Sequence, residues 1–303
     1  MRTSVTRRDF IVMAGAAIAA AGAASAQAQA GPQKKPAVCI FSKHLQFLDS
    51  AAMAKTLKQI GADGVDLAVR EGGHVLPKNV AEDLPRAVET MRGAGIDVPM
   101  ITTRLCSGED PDARQILQAA SKAGIGFFRI GPRQYDKTGS ILEQLAKLTE
   151  ELRGLTKIAE EFNITAGYHN HSGENNAGAA LWDLQRMIET IGSPRFGSNF
   201  DVGHAMAEGA SGVWRTNARL MAPNVKMMAV KDFVWNKNKP EWIPLGSGIV
   251  QTPEFLKIMR EAGFSGPISL HFEYKTSSND ALIDDMRNAV TTLRQAMNKA
   301  GYA

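Results

Sequence analysis

From Lys35 onward, eight short apolar runs of strand length alternate with longer stretches that carry the 3.6-residue apolar period of helices. The strand-like runs are 37–41, 64–68, 98–102, 127–130, 165–169, 196–201, 225–230 and 267–272, and the helical stretches are 50–60, 81–94, 112–123, 140–162, 180–191, 253–262 and 280–299. Gly61, Gly95, Gly124 and Gly263 stand where left-handed caps would end four of those helices. Alternation of this kind builds a parallel sheet, and eight strands close it. Without its first thirty residues the chain has roughly 275, the length of one (β/α)8 barrel. The expectation is a single α/β domain, a TIM barrel over 35–303. A Rossmann fold is excluded because Phe41-Ser42-Lys43-His44 follows the first strand in place of a glycine-rich turn. The longest interruption, 233–248, is expected to be a loop over the barrel mouth.

Residues 1–30 have a different composition. Thr6-Arg7-Arg8-Asp9-Phe10-Ile11 is a twin-arginine pattern, followed by an Ala/Gly-rich run at 11–24 that is too short and too weakly apolar for a membrane anchor. This reads as a cleavable Tat-type signal peptide, cut after Ala26 or Ala30, with the Tat translocation machinery as a transient partner and the periplasm as destination. The formal charge is +4, of which Arg2, Arg7, Arg8 and Asp9 supply +2 (three minus one), so the remainder carries +2 and no basic run. Nucleic acid is therefore not an expected partner. The two cysteines, Cys39 in a strand run and Cys106 in a loop, read as unpaired, with a single bridge left open.

In such a barrel the chemistry collects where strands end. Those ends carry Lys43 and His44, Asp66 and Arg70, Thr102 and Thr103, Arg129, His169 and His171, Asp201 and His204, Lys231 and Asp232, then His271 and Glu273. Five of the six histidines are among them; His74 lies in the loop after the second strand. Residues i and i+2 of a strand share a face, so His169 and His171 form one pair and His271 and Glu273 another. His169, Asp201, His271 and Glu273 offer the imidazole nitrogen and carboxylate oxygen that suit Mn2+, Mg2+, Co2+ or Zn2+. A hydrogen-bonded cluster without metal is the alternative, since Lys231 would oppose a cation. Lys43, His44, Arg70, Arg129 and His204 are candidate substrate-binding residues; the arginines could hold a carboxylate or phosphate, or form salt bridges within the barrel.

Seven segments resemble the xylose isomerase-like TIM-barrel family of sugar phosphate isomerases and epimerases, in particular a Tat-exported branch. They are Ile40-Phe41-Ser42-Lys43-His44-Leu45, Gly64-Val65-Asp66-Leu67-Ala68-Val69-Arg70, Gly167-Tyr168-His169-Asn170-His171, Asp201-Val202-Gly203-His204, Val230-Lys231-Asp232-Phe233-Val234-Trp235, Pro244-Leu245-Gly246-Ser247-Gly248 and Leu270-His271-Phe272-Glu273-Tyr274. The resemblance implies a metal set of glutamate, aspartate, histidine and glutamate after strands five to eight. Asp201 matches, His169 takes the first glutamate's place, Ala229 stands where the histidine is expected, and His271 or Glu273 fills the last.

The expected activity is abstraction of a proton next to a carbonyl, with a divalent ion, or Lys231 in its stead, stabilising the enediolate. His171, Lys231 and Glu273 are the catalytic candidates, and His169 is a further possible base. Return of the proton gives an isomerase or epimerase; loss of a β-substituent gives a lyase or hydratase. Export favours a non-phosphorylated or oxidised sugar as the small-molecule partner. The non-enzymatic alternative is a carbohydrate-binding barrel, with Trp182, Trp214, Trp235 and Trp242 as stacking platforms. A nuclease on the same barrel is disfavoured by the charge and the shortage of carboxylates.

Overall fold

The computed structural model describes residues 34–302; the expected signal peptide and both of its candidate cut sites lie outside them. Eight parallel strands close a barrel in chain order: β1 (Val38–Phe41), β2 (Gly64–Ala68), β3 (Asp97–Thr102), β4 (Phe127–Arg129), β5 (Thr165–His169), β6 (Phe196–Asp201), β7 (Val225–Val230) and β10 (Ile268–Leu270), which pairs back with β1. Every residue of β1, β2, β5 and β6 is buried, as a sheet covered on both faces requires.

Outside lie α1 (Ser50–Gln59), α2 (Val80–Gly93), α3 (Ala113–Lys122), α4 (Ile141–Glu161), α5 (Trp182–Ile191), α6 (Val202–Glu208), α7 (Trp214–Met221), α8 (Thr252–Glu261) and α9 (Asn279–Lys299). In α3, Ala113, Ile116, Leu117 and Ala120 are buried, the i, i+3, i+4, i+7 stripe of a helix with one face on a core. Burial of each large side chain of this kind contributes about 1.5–3 kcal/mol. Asp49 caps α1 by accepting the Ala52 N–H at 2.8 Å, and Gly61 ends it with φ +80°. Gly95, Gly124 and Gly263 are left-handed in the same way.

The structure departs from the sequence reading in three places. The eighth barrel strand is only Ile268–Leu270, so His271 and Glu273 lie beyond it. Helices α6 and α7 were not anticipated. α6 opens on Val-Gly, which are poor helix formers, and it is started by Asp201, whose side chain accepts the His204 N–H at 2.9 Å. The expected loop at 233–248 is largely an antiparallel hairpin, β8 (Asp232–Asn236) and β9 (Lys239–Ile243), turned at Lys237 with φ +56°. Asp232 fastens the base of the hairpin and the turn beyond it. Its Oδ1 accepts the Phe233 and Val250 N–H groups at 2.9 and 3.0 Å, and its Oδ2 those of Gly246 and Gly248, both at 3.0 Å. A Cβ on Gly248 would collide with the Asp232 carboxylate, so glycine alone lets the loop approach so closely. Cys39 and Cys106 are both free.

Candidate functional site

The tips of β5, β6, β7 and β10 converge on Lys231, which is 2% exposed. Its Nζ lies 3.2 Å from Asp201 Oδ2, 3.2 Å from Glu273 Oε2 and 2.7 Å from His204 Nε2. Trp242 of β9 covers it, with Nζ 4.2 Å from the ring centroid. Since a lysine ammonium can only donate, His204 accepts through Nε2 and carries its proton on Nδ1, which reaches Ser172 Oγ at 2.8 Å. Asn170 fixes the height of Asp201: its Oδ1 accepts the Asp201 N–H at 2.8 Å and its Nδ2 donates to the Asp201 carbonyl at 3.0 Å. His169 Nε2 lies 3.6 Å from Asp201 Oδ2, and His271 Nδ1 lies 3.9 Å from Glu273 Oε1.

The electrostatics stem from burial. Desolvation pushes the Asp201 carboxyl up, while Lys231 and the His204 N–H hold it back. Desolvation, reinforced by Arg129 for His169 and His271 and by Lys231 for His204, holds all three imidazoles well below their ordinary range, so they are neutral. Desolvation pulls the other way at Glu273, but Lys231 prevails and its carboxyl is lowered.

Above this cluster opens a cavity of about 320 Å3 lined by Lys43, Arg70, Arg104, Arg129, His171 and Glu273 among others. Thus Glu273 and His171 face the cavity, whereas His169, His204 and His271 do not line it. Strand β5 ends at His169, so His171 does not share its face by strand alternation as expected; Asn170 intervenes and turns inward. Both imidazoles nevertheless reach the same region, His171 lying 6.3 Å from His169 and 3.8 Å from His204, centroid to centroid. His171 Nδ1 is 2.8 Å from the Ser172 carbonyl and must carry a proton there, so in the neutral ring the lone pair is the one on Nε2.

The remaining candidates divide. Lys43, Arg70 and Arg129 line the cavity. His44 is tied to the backbone, its Nε2 accepting the Phe272 N–H at 3.1 Å, and burial lowers its pKa to about 4. His204 belongs to the buried cluster. Trp214 is buried against Phe255 and cannot stack on a sugar; Trp182 and Trp235 are exposed elsewhere, and Trp242 sits on Lys231. Arg104, Ser172 and Asn170 were missed. Arg104 directly follows Thr102-Thr103, already read as a strand end, so only the register concealed it.

The family model for the xylose isomerase-like TIM barrel matches residues 54–296. The chain belongs to that family. Solved structures agree on the fold. A xylose isomerase domain protein from Planctomyces limnophilus has TM-score 0.68 at 17% identity, covering 90% of this chain and 100% of its own. A zinc-bound IolI protein has TM-score 0.75 at 13% identity, covering 88% and 100%. A D-psicose 3-epimerase, solved with D-fructose, has TM-score 0.67 at 14% identity, covering 86% and 99%. No curated protein sequence matches the chain.

The xylose isomerase-like family implies a divalent metal, and a buried His–Asp–His group is present: donor atoms of His169, Asp201 and His204 lie within 4.8 Å of one another. Lys231 Nζ stands against two of the three, 3.2 Å from Asp201 Oδ2 and 2.7 Å from His204 Nε2. Zinc bonds to nitrogen and oxygen at about 2.0–2.2 Å, so an ion bonded to His204 Nε2 and Asp201 Oδ2 would take the space that Nζ fills. The three donors suit a divalent ion in kind, and an ion on all of them requires the Lys231 side chain to move aside. Ala229, in register beside Asp201, presents only a methyl where the family's histidine is expected.

Proposed function

We propose that this protein is an isomerase or epimerase acting on a non-phosphorylated sugar or keto-sugar by proton transfer at carbon next to a carbonyl. The observation that carries the reading is the pair of proton-transfer groups facing one cavity, Glu273 and His171. Glu273 is held as the carboxylate by Lys231, and His171 presents the lone pair of Nε2, so each can accept a proton from a bound substrate. One group removing a proton and the other returning it on the opposite face gives epimerisation; return to the neighbouring carbon gives isomerisation. Lys231 lies beneath the cavity and acts through Glu273, which it keeps ionised. The D-psicose 3-epimerase likeness agrees in kind with this chemistry.

A divalent ion (Mn2+, Mg2+, Co2+ or Zn2+) is the second reading of the charge; of the expected ligands His169 and Asp201 are grouped, with His204 in place of His271 and Glu273, and binding there requires Lys231 to leave. A lyase or hydratase shares the first proton abstraction and differs in expelling a β-substituent. We further propose export by the Tat route to the periplasm, from the twin arginines at Arg7 and Arg8. The test is incubation with candidate ketoses in deuterated water. Deuterium at carbon with an isomeric product supports the reading, deuterium with an unsaturated product supports the lyase, and saturable binding without exchange refutes both in favour of a binding protein.

A further inference from the structure

The cavity carries more positive charge than the proton-transfer chemistry uses. Lys43, Arg70, Arg104 and Arg129 all line it, and Glu273, the one carboxylate among the lining residues, is already paired with Lys231. Among the described residues none of the four cations has a carboxylate within ion-pair distance. The contrast with the outer helices is direct: Arg114, Arg153 and Arg215 each have a glutamate partner there. Nor does a nearby acid neutralise the arginines through contact. Asp66, wholly buried in the middle of β2, takes hydroxyl hydrogens from Thr102 at 2.7 Å and Ser269 at 2.9 Å instead.

What holds the two half-buried guanidiniums is an aromatic ring. The Cζ atoms of Arg70 and Arg129 lie 5.7 and 5.8 Å from the Phe41 centroid. Contact through a ring orients a guanidinium without consuming its N–H fork, the part that binds an oxyanion in bidentate fashion. Arg70 Nε is buried with no hydrogen-bond partner. Burial, and after it the repulsion of Arg104, lowers the Arg70 pKa against the opposing pull of Asp66. Like charges gathered in a concave, half-desolvated space are costly unless a ligand completes them.

We infer that the substrate carries an oxyanion, a carboxylate or a phosphate, received by Arg70, Arg104, Arg129 and Lys43 while Glu273 and His171 meet its reacting carbon. The inference deepens the sugar reading above and rests on it for the sugar part; a carboxylate as the anion keeps that reading whole, whereas a phosphate keeps the anion site and overturns the non-phosphorylated part of it. A cavity of this size suits a single charged sugar.

The test is calorimetric titration of the full-length protein with D-glucose, D-glucuronate, D-glucose 6-phosphate and inorganic phosphate, at low and high salt. A charged sugar is expected to bind about 10-fold or more tighter than glucose. The preference should shrink at high salt and be lost in Arg70→Gln and in the more exposed Arg104→Gln, with unchanged melting temperatures. Whichever of glucuronate and glucose 6-phosphate binds tighter identifies the anion. Glucose binding as tightly as both overturns the inference and leaves the sugar reading standing. Phosphate binding that the arginine variants lose, with no sugar competing, supports the anion site and overturns the sugar reading. Failure of all four probes to bind overturns the inference.

Discussion

Replacement of Lys231 by methionine removes the cation at the centre of the site while keeping nearly the same volume. Coulomb's law with an effective dielectric of about 20 gives roughly 5 kcal/mol for each 3.2 Å pair, an upper limit that desolvation offsets. Removing one member of a buried pair costs about 3–5 kcal/mol, because the other charge is left uncompensated. Two carboxylates depend on Lys231, Asp201 fully buried and Glu273 with its side chain 27% exposed. The pH dependence has a definite sign. Glu273 has a lowered carboxyl in the wild type, so its stabilising contribution is present above the ordinary carboxylate range and is lost as pH falls. Asp201, already raised by burial, rises further without Lys231; a raised carboxyl stabilises at low pH and loses that contribution as pH climbs through it. The stability gap between wild type and Lys231→Met is therefore widest at neutral pH and narrows in acid. Urea denaturation monitored by circular dichroism at about pH 7.5 and about pH 5 measures it. The same variant frees the space among His169, Asp201 and His204, and is expected to retain zinc after dialysis where the wild type does not. Stoichiometric metal in the wild type, or a pH-independent stability gap, would refute the reasoning.

The same geometry sets other outcomes. Adding Asp201→Asn to Lys231→Met is expected to recover part of the lost stability, since the unpaired charge disappears; additive losses in a double-mutant cycle would oppose this. His171→Ala should slow solvent-deuterium exchange into substrate by about 100-fold or more while leaving the urea midpoint unchanged. Gly203→Ala places a Cβ 2.8 Å from Lys231 Cγ and 3.0 Å from the Trp242 ring, so the lysine and its cover must shift; the expected readout is slower exchange together with a changed tryptophan emission spectrum. Asp232→Ala strips four backbone N–H groups of their acceptor and should cost about 2–4 kcal/mol, seen as new proteolytic cleavage between Trp235 and Gly248.

Much of the barrel was legible because its strands are buried on both faces and so read as short runs poor in charge and rich in apolar or small residues. The runs at 64–68, 165–169, 196–201 and 225–230 coincide with β2, β5, β6 and β7. The hairpin was not legible, because its turn rests on Lys237 with positive φ and lacks the Asn-Gly or Asp-Gly signal of such turns. Within the site, the sequence supplied the residue types and their order along the barrel. It could not show that Asn170 would turn inward between two histidines, nor that Phe41 would carry two guanidiniums. Those facts depend on how strands distant in the chain meet. The placement of Lys231 among three other strand tips is likewise a tertiary fact, invisible to any local pattern.

Lys231 and Asp232 are adjacent in the chain, yet one points down among the acids and imidazoles while the other grips the hairpin whose Trp242 roofs the lysine. Charge and lid thus hang from a single peptide linkage. Any displacement of that junction drags both at once, so the ammonium cannot be uncovered by moving the roof alone without first loosening the anchor beside it.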